Sequence, residues 1–241
     1  VSLLHSSYGC GCCLRLNIDD VSAPTVVADV DDLLRELDLG AGEVDLVVDA
    51  ESVNGQRVAA VAAVLRVGVT SVPHVTDWRT FTVAAGAFPQ SLSGVDAGTV
   101  GRLDRVDWLA WLALRGVRAA LPRMPTFGDY TIDHPDFFAM DPRKMRVSAS
   151  IRYTADLEWI IMRGRWLNRR GGIGYQQFPN LARALVALPE FCGAGFSWGD
   201  KYLDDCASGA VGTGSLTTWR TVGTNHHLVK ATTQIASLGA P

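Results

Sequence analysis

No stretch of this sequence approaches the roughly 20 consecutive apolar residues that a helix needs to cross a bilayer, so a membrane-spanning helix is not expected. The opening residues, Val1-Ser2-Leu3-Leu4-His5, lack a basic segment followed by an apolar one, and no secretory signal is expected there. An excess of one charge is missing too. Lys and Arg number 22 against 25 Asp and Glu, a net charge of −3, and the pI is about 5.9. No global field draws the chain to nucleic acid or an anionic membrane, so such binding has to come from a local patch. Cysteine is sparse and odd in number, at Cys10, Cys12, Cys13, Cys192 and Cys206. That count in a chain of 241 residues argues for reduced thiols and a cytoplasmic compartment. Structural zinc sites pair one C-x2-4-C spacing with a second, which this sequence lacks, so Cys10-Gly11-Cys12-Cys13 reads as buried cysteines leading into a strand in preference to a metal site. Gly-x-Ser-x-Gly elbows, His-Glu-x-x-His helices and paired Cys-x-x-Cys motifs are absent as well, which disfavours serine hydrolases, zincins and zinc ribbons. Neither Gly171-Gly172-Ile173-Gly174 nor Gly209 to Gly214 leads into the Lys-Ser/Thr of a phosphate-binding loop.

What is present is ordinary globular composition, 48% hydrophobic and 20% charged, sufficient for a sizeable core. Short apolar strands alternate with amphipathic helices through the first half. Cys12 to Ile18 reads as a strand, and Val27, Val30, Leu33, Leu34 and Leu37 recur at helical spacing before Gly40-Ala41-Gly42. Val44 to Val48 is a second strand and Val58 to Val67 a second helix. Thr80 to Ala85, a helix over Trp108 to Leu121, and a strand over Pro125 to Tyr130 continue the pattern. This alternation predicts an α/β fold with parallel pairing and right-handed crossovers. The last third differs. Ser148 to Tyr153 and Trp159 to Met162 read as two strands, Asn180 to Leu188 as a helix, and Ala207 to Thr218 as a loop. Thr224 to Leu228 then precedes a short C-terminal helix.

The ordered series Phe127-Gly128-Asp129-Tyr130, Ile151-Arg152-Tyr153-Thr154, Met162-Arg163-Gly164, Phe196-Ser197-Trp198-Gly199-Asp200 and Trp219 to Leu228 resembles the phage-associated beta protein family. The resemblance runs from about Leu14 onward. It departs locally at Arg105-Val106-Asp107-Trp108, where the family tends to carry Glu before Trp. It implies a TIM-type barrel with a C-terminal extension, carried by phages and bacterial chromosomes, and brings no reaction with it. Members carry three or four further βα units ahead of the position of Leu14. The chain is therefore expected to be a partial TIM-type (β/α) barrel, its C-terminal half, with a C-terminal α+β extension. Residues 1–146 would form the half barrel and 147–241 the extension packed on its mouth. A (β/α)8 barrel needs eight strands and four are counted here. Exposed half-barrel edges are an aggregation hazard, so a missing N-terminal half barrel is favoured over pairing with another chain.

Ligand sites in barrels and open parallel sheets lie at the C-terminal strand ends. Those ends supply Asn17 and Asp19, Asp49 and Glu51, Phe88, and Asp129 with Tyr130. Four carboxylates around one mouth can bind a divalent metal or share a proton as an acid/base pair, and strand-end acids can equally cap the helices that follow. Arg152 and Tyr153 follow a strand, and Arg suits bidentate recognition of phosphate or carboxylate; the alternative is a structural Arg–Asp pair, with Asp129 or Asp200. The run from Arg163 through Arg169-Arg170-Gly171 to Tyr175 mixes arginines, aromatics and glycines, as a phosphate-binding patch or a solvated turn would. His226 and His227 are adjacent, so on a strand only one can serve a given pocket.

Two readings follow. In the first, a barrel-mouth cleft binds a nucleotide or nucleic-acid phosphate and hydrolyses a phosphodiester. Asp49 or Asp129 holds a divalent metal or acts as base, and His226 or His227 moves a proton. Arg152 clamps phosphate, with Asn17, Glu51, Tyr130, Tyr153, Arg163, Asp200, Arg220 and Asn225 as further ligand contacts. In the second, the chain is a non-catalytic interaction module of a phage or phage-defence system. It would then present Trp159, Trp166, Trp198 and Trp219 to a protein partner, since such aromatics dominate interface hot spots.

Overall fold

The computed structural model describes residues 11–136, 147–167 and 172–239. Cys10, Arg169, Arg170 and Gly171 lie outside the described residues. Along the chain the elements are β1 (Cys12–Asn17), α1 (Val26–Leu37), β2 (Val44–Ser52), α2 (Val58–Ser71), β3 (Thr80–Gly86), β4 (Val100–Asp104), α3 (Val106–Gly116), β5 (Thr126–Asp129), β6 (Ser148–Thr154), β7 (Glu158–Trp166), α4 (Phe178–Val186), α5 (Trp198–Ser208) and α6 (Leu216–Ser237). They divide between two compact units, Val1–Ala87 with Val106–Tyr130, and Phe88–Arg105 with Thr131–Ala240.

The first unit is an open parallel sheet in the order β1-β2-β3-β5. Register places Leu14, Leu46 and Phe81 side by side, and Leu16, Val48 and Val83 likewise. This apolar face is covered by helices. Gly68 of α2 lies where a Cβ would strike Ile18 and touch Val48, and Trp108 and Trp111 of α3 pack on Phe127 at 5.0 and 5.8 Å. Strand alternation sends Arg15, Asn17, Asp45, Asp49, Thr82 and Thr126 to the opposite face, where Thr82 and Thr126 hydrogen bond at 2.7 Å. The βα alternation read from sequence is thus a parallel sheet, and the fold is α/β.

The second unit is an antiparallel sheet, β4-β7-β6. One of its faces, with Ile151, Tyr153, Ile160 and Met162, shares a buried core with Phe178, Leu185, Leu203, Trp219 and Val222 of α4, α5 and α6. Four features depart from expectation here. The stretch Val100-Gly101-Arg102-Leu103-Asp104 is a strand, although its apolar content is too low to announce one. Helix α5, unanticipated, begins on the cap Ser197, whose Oγ accepts the Asp200 N–H. Ala207 to Thr218 is not wholly loop, because α5 runs to Ser208 and α6 starts at Leu216. Helix α6 continues for 22 residues through Thr224–Leu228, so His226 and His227 sit on a helix. They lie about 100° apart rather than on opposite faces, and both are fully buried.

The four described cysteines are free thiols; Cys12 and Cys13 do lie on a strand, but Cys12 is half-buried and Cys13 exposed, so they are not the buried pair expected. No helix among the described residues is long and apolar enough to cross a membrane.

Candidate functional site

Strand-end chemistry in the first unit centres on Asp49. Parallel register aligns Asn17, Asp49 and Ala84 at the C-terminal ends of three strands. A register shift between Asp49 and Ser52 bulges β2, and Glu51 adopts a left-handed φ of 51°. Asp49 is 2% exposed, and its Oδ1 accepts the Glu51 N–H at 2.7 Å, which pins that bulge. Its Oδ2 accepts the Tyr130 hydroxyl and lies 2.5 Å from Arg15 Nη2. The same nitrogen donates to the Tyr130 oxygen at 2.6 Å. Burial pushes the Tyr130 phenol well above its usual range, and its hydrogen bond to Asp49 pushes it further, so it acts as a donor, not as a phenolate. Asn17 Oδ1 accepts the Asp19 N–H at 3.0 Å. Asp129 lies opposite Ala85, and alternation puts it on the face opposite Tyr130. Arg15 keeps a side chain 59% exposed and Glu51 is exposed as well, so both face solvent while the Asp49 carboxylate stays enclosed.

In the second unit Asp200, at the start of α5, is fully buried, and three side chains meet its carboxylate. Tyr153 donates to Oδ1 at 2.9 Å, and Ser197 donates to Oδ2 at 2.5 Å. His226 Nδ1 lies 2.8 Å from Oδ2. His226 Nε2 is 2.8 Å from the Thr154 carbonyl, and a carbonyl only accepts, so Nε2 carries a hydrogen. The imidazole stacks on Tyr153, with centroids 3.8 Å apart, while the Tyr153 oxygen accepts the Cys192 N–H at 2.8 Å. Burial pushes Asp200 up, but the hydrogen bond and charge of His226, then Ser197 and Tyr153, carry it below the ordinary carboxylate value. His227 Nδ1 faces Thr154 Oγ1 at 2.9 Å. With both nitrogens of His226 engaged, the arrangement ties α6 to β6 and α5; Ser197 sits on the carboxylate, not on the imidazole.

A third group, also in the second unit, collects positive charge. Arg152 on β6 and Arg220 on α6 both donate to one oxygen of one carboxylate, Asp133 Oδ1, at 2.7 and 2.8 Å. Arg152 Nη1 also donates to the Ile132 carbonyl at 2.7 Å, and its guanidinium lies 4.7 Å from the Phe88 ring centroid. Helix α6 can approach because residue 223 is glycine, where a Cβ would sit 2.8 Å from the Arg152 carbonyl. Burial lowers Arg152 from its usual value, with Arg220 adding to that and Asp133 opposing it. Two guanidinium groups against one carboxylate leave a net charge of about +1.

The sequence model of the Beta protein family matches residues 3–233. The chain belongs to the Beta protein family. No curated protein and no solved structure matches it. In this Beta protein, Phe127 to Asp129 is most of β5, Ile151 to Thr154 ends β6, Met162 to Gly164 lies in β7, Phe196 to Asp200 opens α5, and Trp219 to Leu228 lies within α6. Asp107, at the local departure, is buried in α3 and accepts the Ala87 N–H at 3.3 Å and the Trp108 N–H at 2.8 Å.

The remaining predicted contacts of the Beta protein are placed as follows. Arg163 donates from Nη1 to the Leu92 and Val95 carbonyls. Asn225 Oδ1 accepts the Gly199 N–H at 2.9 Å. Trp159 and Trp219 are buried, whereas Trp198 is 52% exposed. Among the described residues no three His, Cys, Asp or Glu side chains gather as a metal-binding group. Sequence reasoning missed Arg15, Asp133 and Ser197. Arg15 was accessible, since it shares strand parity with Asn17 two residues on; Ser197 and Asp200 carry the Ser-x-x-acid spacing of a helix start. Asp133, in an aperiodic loop, carries no such signal.

Proposed function

We propose that this Beta protein binds an anionic ligand, a phosphate or carboxylate group, on the Arg152–Arg220 pair. One observation carries the reading: two guanidinium groups share a single oxygen of Asp133. Arg152 is the fixed member, 24% exposed, and Arg220 the solvent-facing one, 59% exposed. An incoming oxyanion meets a partly buried cation already oriented by Asp133 and the Ile132 carbonyl, and a second cation free to turn toward it. Nucleotide phosphate is the ligand class the reading favours. Phosphodiester hydrolysis draws less support, because His226 has both nitrogens engaged and Asp49 already holds Arg15 and Tyr130. The parallel sheet belongs to the same proposal as an arc of barrel wall, helix-covered on one face and polar on the other.

The test is calorimetric titration with inorganic phosphate and with AMP. Arg220→Ala is expected to weaken binding by about tenfold or more, the worth of one charge-assisted hydrogen bond. Asp133→Asn, which removes the counter-charge, is expected to tighten it. Absence of binding at about 10 mM ligand, or equal affinity in Arg220→Ala, would end the proposal.

A second reading, an interaction module, is favoured by the exposure of Trp198 beside Tyr202, ring centroids 5.7 Å apart on α5. A protein partner captured by the native chain and lost in Trp198→Ala, but kept in Arg220→Ala, would support that reading over the first.

A further inference from the structure

An open groove of about 450 Å³ lies in the first unit, at the end of the strands away from Asp49, lined by Asp31, Leu34, Arg35, Gly42, His74 and Asp77. Its volume falls within the range of small-molecule sites. The loop that shapes it is firmly built. The indole N–H of Trp78, a residue 2% exposed, donates to the Pro73 carbonyl at 2.8 Å, and the Asp77 N–H donates to the His74 carbonyl at 2.8 Å. His74 is held there at φ 52°, a backbone region that costs a non-glycine residue of order 1 kcal/mol or more.

The groove's chemistry is one-sided. His74 Nε2 lies 2.7 Å from Asp31 Oδ1; when the ring is neutral, Nε2 donates to that carboxylate and Nδ1 presents a lone pair. Asp77 adds a second carboxylate, one oxygen of which accepts the Thr76 hydroxyl at 2.9 Å. The cation in the lining, Arg35, is bound at 2.5 Å by Asp32, outside the groove lining. Two carboxylates and an imidazole thus line the groove against a single guanidinium, Arg35, one nitrogen of which is paired with Asp32, and Leu34 supplies an apolar wall.

From the cavity and the excess of carboxylates over cations in its lining we infer that this groove binds an alkylammonium group. Asp31 and Asp77 receive the N–H donors, and the methylene chain lies along Leu34. The chemistry fits a free polyamine or a lysine side chain equally. The groove shares no residue with the Arg152–Arg220 seat, so either assignment can fail alone.

The experiment titrates the full chain with spermidine and, separately, with a dilysine peptide blocked at both ends, following the His74 ring signals by NMR; succinate is the charge-reversed control. Saturable shifts are expected with an ammonium ligand and none with succinate. Asp31→Asn and Asp77→Asn should each weaken binding about three- to fivefold, the scale of a solvent-exposed ion pair, and the double variant about tenfold. Tighter binding of spermidine assigns the small ligand, and tighter binding of the peptide assigns a protein lysine; both support the ammonium site. Non-saturating shifts with both ligands, or unchanged affinity in Asp77→Asn, overturn it. Asp77→Asn decides the matter alone if Asp31→Asn loosens the His74 loop.

Discussion

Asp49 and Asp200 are both almost wholly buried, and three groups meet each carboxylate, yet the two units solve the problem of a buried carboxylate differently. Asp49 leans on Arg15, whose charge is permanent and whose side chain is more than half exposed. Asp200 leans on His226, an imidazole with no exposed surface. The first arrangement places charge where a ligand can reach it. The second spends its polar groups on joining α5, α6 and β6. A buried acid beside a histidine is therefore weaker evidence for catalysis than a buried acid beside a solvent-facing arginine.

The largest expected effect breaks the Asp200 side of this contrast. Asp200→Ala leaves His226 and the Tyr153 hydroxyl buried without their acceptor, and removing one partner of a buried charged pair costs about 3–5 kcal/mol. For a chain of this size the thermal midpoint should fall by roughly 10 °C. Calorimetry of the two chains measures it, and a loss under about 1 kcal/mol would mean that the network contributes little.

Acid provides the next test. Asp200 is carried below its ordinary value of 3.8, and the Asp45 carboxylate is pulled to about 2 by the Arg79 hydrogen bond. Arg79 grips Asp45 through Nε and Nη2 at 2.8 and 2.7 Å. A depressed folded value means that the unfolded chain binds protons first as pH falls. The stabilisation is therefore complete above about pH 4 and drains away below it. Asp45 is partly exposed, so solvent screening makes its share the smaller one. Urea midpoints across pH 5 to 2 should decline less steeply in Asp200→Asn than in the native chain.

The same contrast explains what the sequence could and could not disclose. The parallel sheet is legible because β-branched runs such as Val44 to Val48 and helical spacing such as Val30 to Leu34 are local signals. Helix α6 is not, since threonines, Gly223 and paired histidines favour strand or loop. What makes it helical is tertiary: the Ser215–Thr218 capping box and burial of Trp219, Val222, Gly223, His226 and Ala231 at helical spacing. The site residues divide similarly. Strand parity locates Arg15 beside Asn17, but nothing local announces that Asp133 lies between Arg152 and Arg220, 19 and 87 positions away.

Arg15→Ala probes the other side of the comparison at moderate cost. Asp49 loses its cation but keeps the Tyr130 hydroxyl and the Glu51 N–H, so about 1–2 kcal/mol is expected, below the loss in Asp200→Ala. If instead the two losses are equal, the distinction drawn between an exposed and an enclosed counter-charge is wrong.

The smallest effect is the most informative about function. Glu51 holds φ 51° at the bulge of β2, where glycine sits without strain. Glu51→Gly removes that strain but gives the unfolded chain more freedom, so a net gain of up to about 1 kcal/mol is expected. A gain would mean that the native side chain is kept at a cost to stability, as residues in sparsely populated backbone regions at ligand sites are. A loss would mean that the carboxylate already has a stabilising contact within its own unit, in which case the strand end is architecture and the search for a ligand there should stop.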